Sequence, residues 1–587
     1  MLRGFRWQLL AFLVAIALFG ISLIVRFVTA DPVANLTLPA RTDATMTPES
    51  SPIPIAGSLT PLPPASGPEI ATYREGLVGT IQRLNPLLAA LNPVDGDLIS
   101  LIFEGLTRID QYGEATPALA QEWVVSSDGL EYVMVLRDDV LWQDGLPFTA
   151  ADVVYTMSLL SSPDFPGSTE LGAFWRTVET EQIDDHLVRF RLAQPLATFP
   201  EALRIGILPY HALQGTTASQ LAAHPFNLSP IGTGPYQLEA MRAEGNQIRQ
   251  VDLRVAPVYR QRPEGATGYT LERLSFYLYD SFDAVFVALQ NGEIDGYAAQ
   301  NGGERLSLLT LPGNLAIYTT YEPAIGMLIF NWANDNFPVF REQRVRQALV
   351  RGLDRTSLIE RHLSNVATQA DSPFLPLSWA YHYGSADIVW PSYDLAAARE
   401  LLATARIDTG ETEDSNASPA ATLFSFSILT IDNPALVNMA QEIATQWMQL
   451  NLDVHVEAVD AAIYQTRLTT TQFDVALVEL SSLGSADPDM YSFWHQGQYP
   501  DGQNYGGAND RAISEALERA RRDGNGIHRN LYYLDFQRAF IERAIAIPLY
   551  YPLYTYAISS RVSGVQVGFI GAPSDRFMTI KDWAISR

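Results

Sequence analysis

Residues 423–480 constrain the fold more than any other stretch of the chain. Residues 423–431 read as a strand, and Asp432-Asn433-Pro434 then supplies a capping side chain and a proline suited to a first helical turn. Leu436, Met439, Ala440, Ile443, Trp447 and Leu450 follow at helical spacing and give one apolar face. Val454, Val456 and Ala458 alternate as a second strand, a short helix is expected near 461–468, and residues 473–478 read as a third strand. Strand–helix–strand units with connections this long require parallel pairing and a right-handed crossover. The fold class is therefore α/β. Ligands in open α/β sheets lie beyond the carboxyl ends of the strands. The loop after the third strand, Ser481-Ser482-Leu483-Gly484-Ser485-Ala486-Asp487-Pro488, is accordingly a candidate site wall.

At the other end of the chain, Arg3 and Arg6 precede an apolar run from Trp7 to Val25, broken only by Gln8, Gly20 and Ser22. Nineteen residues is about the length that spans a bilayer and exceeds an ordinary signal-peptide core. Val28-Thr29-Ala30 also reads as a small-residue cleavage site. Residues 1–30 are thus a signal-anchor or a signal peptide, with retention as a membrane anchor through 7–25 favoured by length. The basic flank is expected in the cytoplasm and the remainder outside it. Residues 31–72 follow as a Pro/Thr-rich tether: residues 31–70 hold nine prolines and five threonines with almost no apolar periodicity.

The remainder, from about 73 to 587, is long enough for more than one domain at roughly 150 residues each. Its composition, 47% apolar and 18% charged over the whole chain, excludes wholesale disorder. With 39 basic and 65 acidic residues the net charge is −26, which argues against a nucleic-acid partner. Cysteine is absent, which excludes disulfides, thiolate metal sites, a Cys nucleophile and a lipid-modified Cys anchor. Residues 409–420 form a polar loop.

Catalytic signatures are missing. There is no HExxH, GxSxG, Walker loop or dinucleotide fingerprint. The eight histidines are scattered, with no pair at metal-ligand helical spacing. Residues 231–236 (IGTGPY) read as a tight turn beside a strand, and Asp487-Pro488-Asp489 as a helix start before it reads as a carboxylate pair. No catalytic residue, cofactor or metal is expected, and the chain is not expected to be an enzyme.

Several segments resemble the family 5 extracellular solute-binding proteins, the class that delivers oligopeptides, dipeptides or nickel complexes to ABC importers. Thr116-Pro117-Ala118-Leu119-Ala120 through Trp123 and Ser127-Asp128-Gly129 is similar to the family's P-x-LA-x-x-W…S-x-DG. Residues 136–145 (LRDDVLWQDG) and Phe148-Thr149-Ala150-Ala151-Asp152-Val153 resemble its LR-x-x-V-x-W-x-DG-x-x-x-TA-x-DV. Gly232-Thr233-Gly234-Pro235-Tyr236 matches GTGPY, residues 292–295 match GEID, and Asn331, residues 344–348 (RVRQA) and Asp354-Arg355 follow in order. Asp144-Gly145 also reads as a turn, and Thr149 with Asp152 as a capping box. The resemblance implies two hinged α/β lobes of the periplasmic-binding-protein type. Lobe one is placed at 73–318, with an extra subdomain and a return at 553–587, and lobe two at 319–552. Hinge segments are expected near 312–325 and 548–556.

Peptide-binding members of the family often carry W-x-AD-Y-x-DP after the third strand, the first Asp pairing with the peptide's amino terminus. Aligning DP on Asp487-Pro488 puts Gly484 at that Asp. Glu479 or Asp487 is then left to substitute, or the ligand lacks a free amine. The ligand-site candidates are Glu479, Ser481, Ser482, Ser485 and Asp487, followed by Trp494, Tyr505, Trp379 and Asn331. The resulting expectation is a monomeric receptor capturing a small peptide-like or other polar solute for ABC importer permeases at the cell envelope. A membrane-anchored sensor and a carboxylate-based hydrolase are the alternatives.

Overall fold

The computed structural model describes residues 70–311, 313–382, 384, 388–408, 422–481 and 487–586. The apolar segment 7–25, nearly all of the tether and the polar loop 409–420 lie outside these residues. Among the described residues no helix is long and apolar enough to cross a membrane.

One large sheet runs through the molecule. In chain order its strands are β1 (Thr72–Val78), β2 (Tyr236–Glu244), β3 (Gln247–Val255), β4 (Arg273–Tyr279), β5 (Gly296–Ala298) and β6 (Leu315–Tyr321). They continue as β7 (Ile325–Phe330), β8 (Ala367–Gln369), β9 (Ser425–Ile431), β10 (Asp453–Val459), β11 (Val475–Leu480) and β12 (Ala546–Ser559). The order across the sheet is β10-β9-β11-β7-β12-β5-β1-β4-β3-β2, with β6 and β8 also paired to β12. A separate four-stranded antiparallel sheet is built from residues 120–136 and 178–192.

The pattern at 423–480 folds as its periodicity predicts. β9 pairs in parallel with β10 and with β11. The helix Pro434–Met448 starts at Asn433, whose side chain accepts from the N–H groups of Ala435 and Leu436. Its apolar stripe buries Met439, Ala440, Ile443 and Trp447. The next helix, Ala461–Thr469, begins at Asp460 in the same way.

β12 joins the two lobes. Its first half pairs with β7 and β8, and its second half with β6 and β5. β6 and β7 are separated only by Glu322-Pro323-Ala324, and the Glu322 N–H donates to the Pro552 carbonyl at 2.9 Å. Buried side chains divide accordingly. One apolar cluster runs from Ile325 to Tyr551 and also takes in Ile109 and Phe569, and another runs from Tyr73 to Leu278 with residues 554–583.

The sequence motifs have structural duties. Asp152 accepts from the Thr149 N–H at 2.9 Å, closing the capping box, and from the Tyr210 N–H at 2.8 Å. Asp144-Gly145 turns between Trp142 and Leu146: the Trp142 N–H donates to the Leu146 carbonyl and the Gly145 N–H to the Trp142 carbonyl, each at 2.8 Å. A Cβ at Gly232 would lie 1.8 Å from the Ile102 carbonyl oxygen, so only glycine fits that close approach. Asp295 binds Arg74 and Arg561 at 2.9 and 2.6 Å. Arg346 lies over the Trp332 ring at 3.8 Å and donates to the carbonyls of Phe340, Arg543 and Ala544.

The most deeply buried ionic group ties the C-terminal segment to lobe one. Arg576, 1% exposed, meets Glu75, 0% exposed, at 2.9 Å and Asp97 at 2.7 Å. The hydroxyls of Tyr73 and Tyr556 donate to Glu75. Burial raises the Glu75 carboxyl and the Arg576 charge opposes that shift, while Arg576 is held protonated by both acids.

Candidate functional site

β11 is buried on both faces until Glu479, which is exposed between Val478 and Leu480. Glu479 lies opposite Gly326 of β7. A Cβ at 326 would fall 2.1 Å from the Tyr550 ring, so the missing side chain makes room for that ring. The Tyr550 hydroxyl then donates to Glu479 Oε2 at 3.1 Å. Burial and the Glu479 charge push the Tyr550 hydroxyl well above its ordinary range, so it remains a donor. Loss of solvation around its carboxyl raises Glu479 although the residue as a whole remains exposed, and the Tyr550 hydrogen bond opposes that shift.

Glu479 and Ser481 border a cavity of about 370 Å³ at the carboxyl ends of β9 and β11, with Tyr464, Tyr505 and Tyr550 among its walls. This is the end of the sheet that the strand pattern singles out. A larger cavity of about 610 Å³ is bordered by β1, Tyr297, Tyr554, Arg576 and, in the link between β6 and β7, Glu322. Glu322 is half-buried, and burial first, then the Glu479 charge, pushes its carboxyl up to about 7. Sequence reasoning missed Glu322. An acid before Pro323 reads as a simple turn, and its approach to Glu479 arises only when β7 pairs with β11.

The other candidates lie elsewhere. Asp487 is bound by Arg529 at 2.5 Å and receives a hydrogen bond from the Tyr533 hydroxyl at 3.2 Å. Asp489 accepts from the Tyr491 N–H at 3.1 Å and from Arg521 at 2.8 Å. Both acids border a crevice of about 300 Å³ between the lobes, with Phe174 and Leu196 on one side and Phe374, Leu375 and Met490 on the other. Trp379 stands near it, edge-on to Tyr533 at 5.6 Å, with the Arg529 guanidinium 5.4 Å from its ring centre. Nearby the lobes touch through the Ala197 N–H and the Arg521 carbonyl, 3.1 Å apart.

Two candidates belong to the scaffold. Trp494 is 4% exposed and packs edge-on against Phe540 at 5.0 Å, because its short helix turns the indole inward. Asn331 follows the end of β7 that faces the start of β11, and its amide donates to the carbonyls of Thr471 and Phe473. It is therefore at the opposite end of β11 from Glu479. Ser482, Gly484 and Ser485 lie outside the described residues. Among the described residues no group of three or more His, Asp or Glu side chains is placed to hold a metal ion.

Comparison with known proteins agrees with this architecture. Residues 114–502 match the model of the bacterial extracellular solute-binding proteins, family 5. The oligopeptide-binding protein AppA of Bacillus subtilis is 24% identical over 526 residues, covering 87% of this chain and 91% of AppA. The structure of NikZ from Campylobacter jejuni in complex with Ni(L-His) superposes with a TM-score of 0.63 at 25% identity, covering 88% of this chain and 100% of NikZ. HbpA2 from Haemophilus parasuis superposes with a TM-score of 0.74 at 18% identity, covering 88% of this chain and 100% of that one, and shows the shared fold.

Proposed function

We propose, from the premise that the chain belongs to the bacterial extracellular solute-binding proteins of family 5, that it captures a small polar solute between its two lobes and presents it to an ABC importer. The observation that carries this reading is the placement of the cavities. One borders the carboxyl ends of β9 and β11 in lobe two and reaches β12 at Tyr550, and the other borders β1 in lobe one and reaches Glu322, Pro323 and, in β12, Tyr554. Solute drawn into that space contacts both lobes only when they close, and such contacts shift the population toward the closed form.

A peptide-like solute is the preferred class. AppA of Bacillus subtilis is an oligopeptide-binding protein, and the cavities here combine tyrosine walls with a few polar groups. Glu479, Ser481 and Tyr505 are the candidate contacts in lobe two. The lobe limits we adopt are 73–318 with 553–587, and 319–552. The receptor is taken as a monomer held at the outer face of the cytoplasmic membrane by residues 7–25, with residues 31–72 as the tether.

Small-angle scattering on the full chain in detergent, with and without tryptone as the source of peptides, tests the central reading. A smaller radius of gyration with tryptone is expected. An unchanged radius at saturating tryptone counts against peptide-driven closure. N-terminal sequencing of the mature protein tests the anchor, and a start at Asp31 excludes it.

A further inference from the structure

The two apolar clusters also meet away from the crossings of the chain. Leu192 and Phe199 belong to the cluster of Tyr73, and Leu517 and Ala520 to that of Ile325. Between these sets the Ala197 N–H donates to the Arg521 carbonyl at 3.1 Å. Local geometry prepares both groups. Leu196–Phe199 is a turn, closed by the Phe199 N–H on the Leu196 carbonyl at 3.0 Å, and Thr198 has φ −83° and ψ 2°, as the third residue of a type I turn does. Ala197 is the second residue, whose N–H has no acceptor inside such a turn. Arg521 lies in the last turn of the helix Arg511–Arg522, where carbonyls outnumber the intrahelical donors. The Asp523 N–H donates to the Arg519 carbonyl and Arg529 Nε to the Ala520 carbonyl, and Ala197 supplies the donor for Arg521.

Resting on the reading that solute is enclosed between the lobes, we infer that the turn Leu196–Phe199 is a latch: its bond to the helix end stabilises the closed lobes and retains the solute without touching it. Neither Ala197 nor Arg521 belongs to the crossings at Glu322–Ala324 and in β12. The pair therefore separates when the lobes open about those crossings, and each group returns to water. A contact made in only one of two forms shifts the population toward that form. The bond joins two main-chain groups, so it retains every solute alike and leaves selection to the cavities.

The surroundings of the bond act in the same direction. Phe174 and Leu196 border the neighbouring crevice from one side and Phe374, Leu375 and Met490 from the other, so closing withdraws apolar surface from water. A second approach lies next to the first: a Cβ on Gly129 would stand 3.8 Å from the Arg522 carbonyl. The turn is also braced on its own side, where the Tyr132 hydroxyl donates to the Leu196 carbonyl at 2.8 Å.

Ala197→Pro tests the latch. Proline suits the second position of a type I turn and has no N–H, so the turn is kept and the bond across the lobes is lost. In scattering titrations of the full chain in detergent with tryptone, the midpoint of contraction should rise about two- to tenfold, the range a neutral hydrogen bond spans. The contracted radius at saturation should match that of wild type. Ala197→Gly keeps the N–H and should stay within about twofold. An unmoved midpoint in Ala197→Pro, or an equal shift in Ala197→Gly, overturns the latch. A second measurement needs no proline variant to fold. The chain has no cysteine, so Ala197→Cys with Arg522→Cys puts one thiol on each side of the contact. Oxidation by copper phenanthroline should join them faster with tryptone than without, and the joined chain should keep the contracted radius after tryptone is dialysed away. A rate indifferent to tryptone overturns the latch. The two claims fail differently. Contraction of wild type with an unmoved Ala197→Pro midpoint keeps the hinged receptor and removes the latch, whereas no contraction of wild type removes peptide-driven closure and the latch with it.

Discussion

Glu75 and Asp97 on one side, and Glu322 and Glu479 on the other, are acids of one chain whose surroundings differ: the first two are buried, whereas Glu322 is half-buried and Glu479 exposed. The first pair encloses Arg576, and two tyrosine hydroxyls complete the shell of Glu75. Among the described residues neither acid of the second set forms an ion pair: the Tyr550 hydroxyl donates to Glu479, and Glu322 borders a cavity whose Arg576 is already held by Glu75 and Asp97. A buried acid matched within the chain fastens one segment to another. An acid beside a cavity and without an ion pair fastens nothing. The contrast separates scaffold from site where acidity alone does not, and each variant below is chosen to break or sharpen it.

The largest effect is expected from Arg576→Met. It leaves Glu75 and Asp97 enclosed without a counter-charge and should cost about 3–5 kcal/mol in urea unfolding, the scale for breaking a buried pair from one side. A loss below about 1 kcal/mol would show that these acids are neutral or hydrated and would remove the contrast. Asp487→Asn comes next. It weakens the pairing with Arg529 and should cost about 1–3 kcal/mol, which places Asp487 with the scaffold.

Glu322→Gln should act in the opposite direction. The Glu322 carboxyl titrates at about 7 in the folded chain against an ordinary value of 4.5, so the folded form holds its proton more tightly. Its contribution is therefore most favourable at low pH, declines as pH rises from about 4.5 to 7, and is constant above that. Without ligand, the variant should exceed wild type by about 1–2 kcal/mol at pH 8, after allowing for partial exposure, and match it near pH 4.5. A variant less stable than wild type at pH 8 would show that Glu322 has a partner within the chain. Tyr550→Phe is expected to have the smallest effect, a loss of about 0.5–1 kcal/mol with the hydrogen bond to Glu479.

The two regions also differ in how legible they are in the sequence. The β9–β11 unit announces itself because helix and strand periods are local, and Asn433 and Pro434 mark the helix start within two residues. Glu479 and Ser481 follow from that unit, since the carboxyl end of a strand is a place the pattern defines. Glu322 does not follow, because its neighbour is 157 positions away in the chain and only antiparallel pairing of β7 with β11 brings them together. Asp487 misleads for the same reason. Nothing near it in sequence reveals Arg529, 42 positions further on and past the helix Arg511–Arg522. Trp494 and Tyr505 illustrate a second limit. Composition marks both as large aromatics, but whether a ring faces the core or a cavity is set by the rotation of a short helix or loop, and the structure puts Trp494 inside and Tyr505 at the cavity.

The solute that accompanies the protein through purification tests the account most directly. Mass spectrometry of small molecules released by denaturing wild type reads it out. The account predicts that wild type releases a peptide-like solute in near-stoichiometric amount. An apolar solute, or none, would contradict the claim that the chain captures a small polar solute between its lobes.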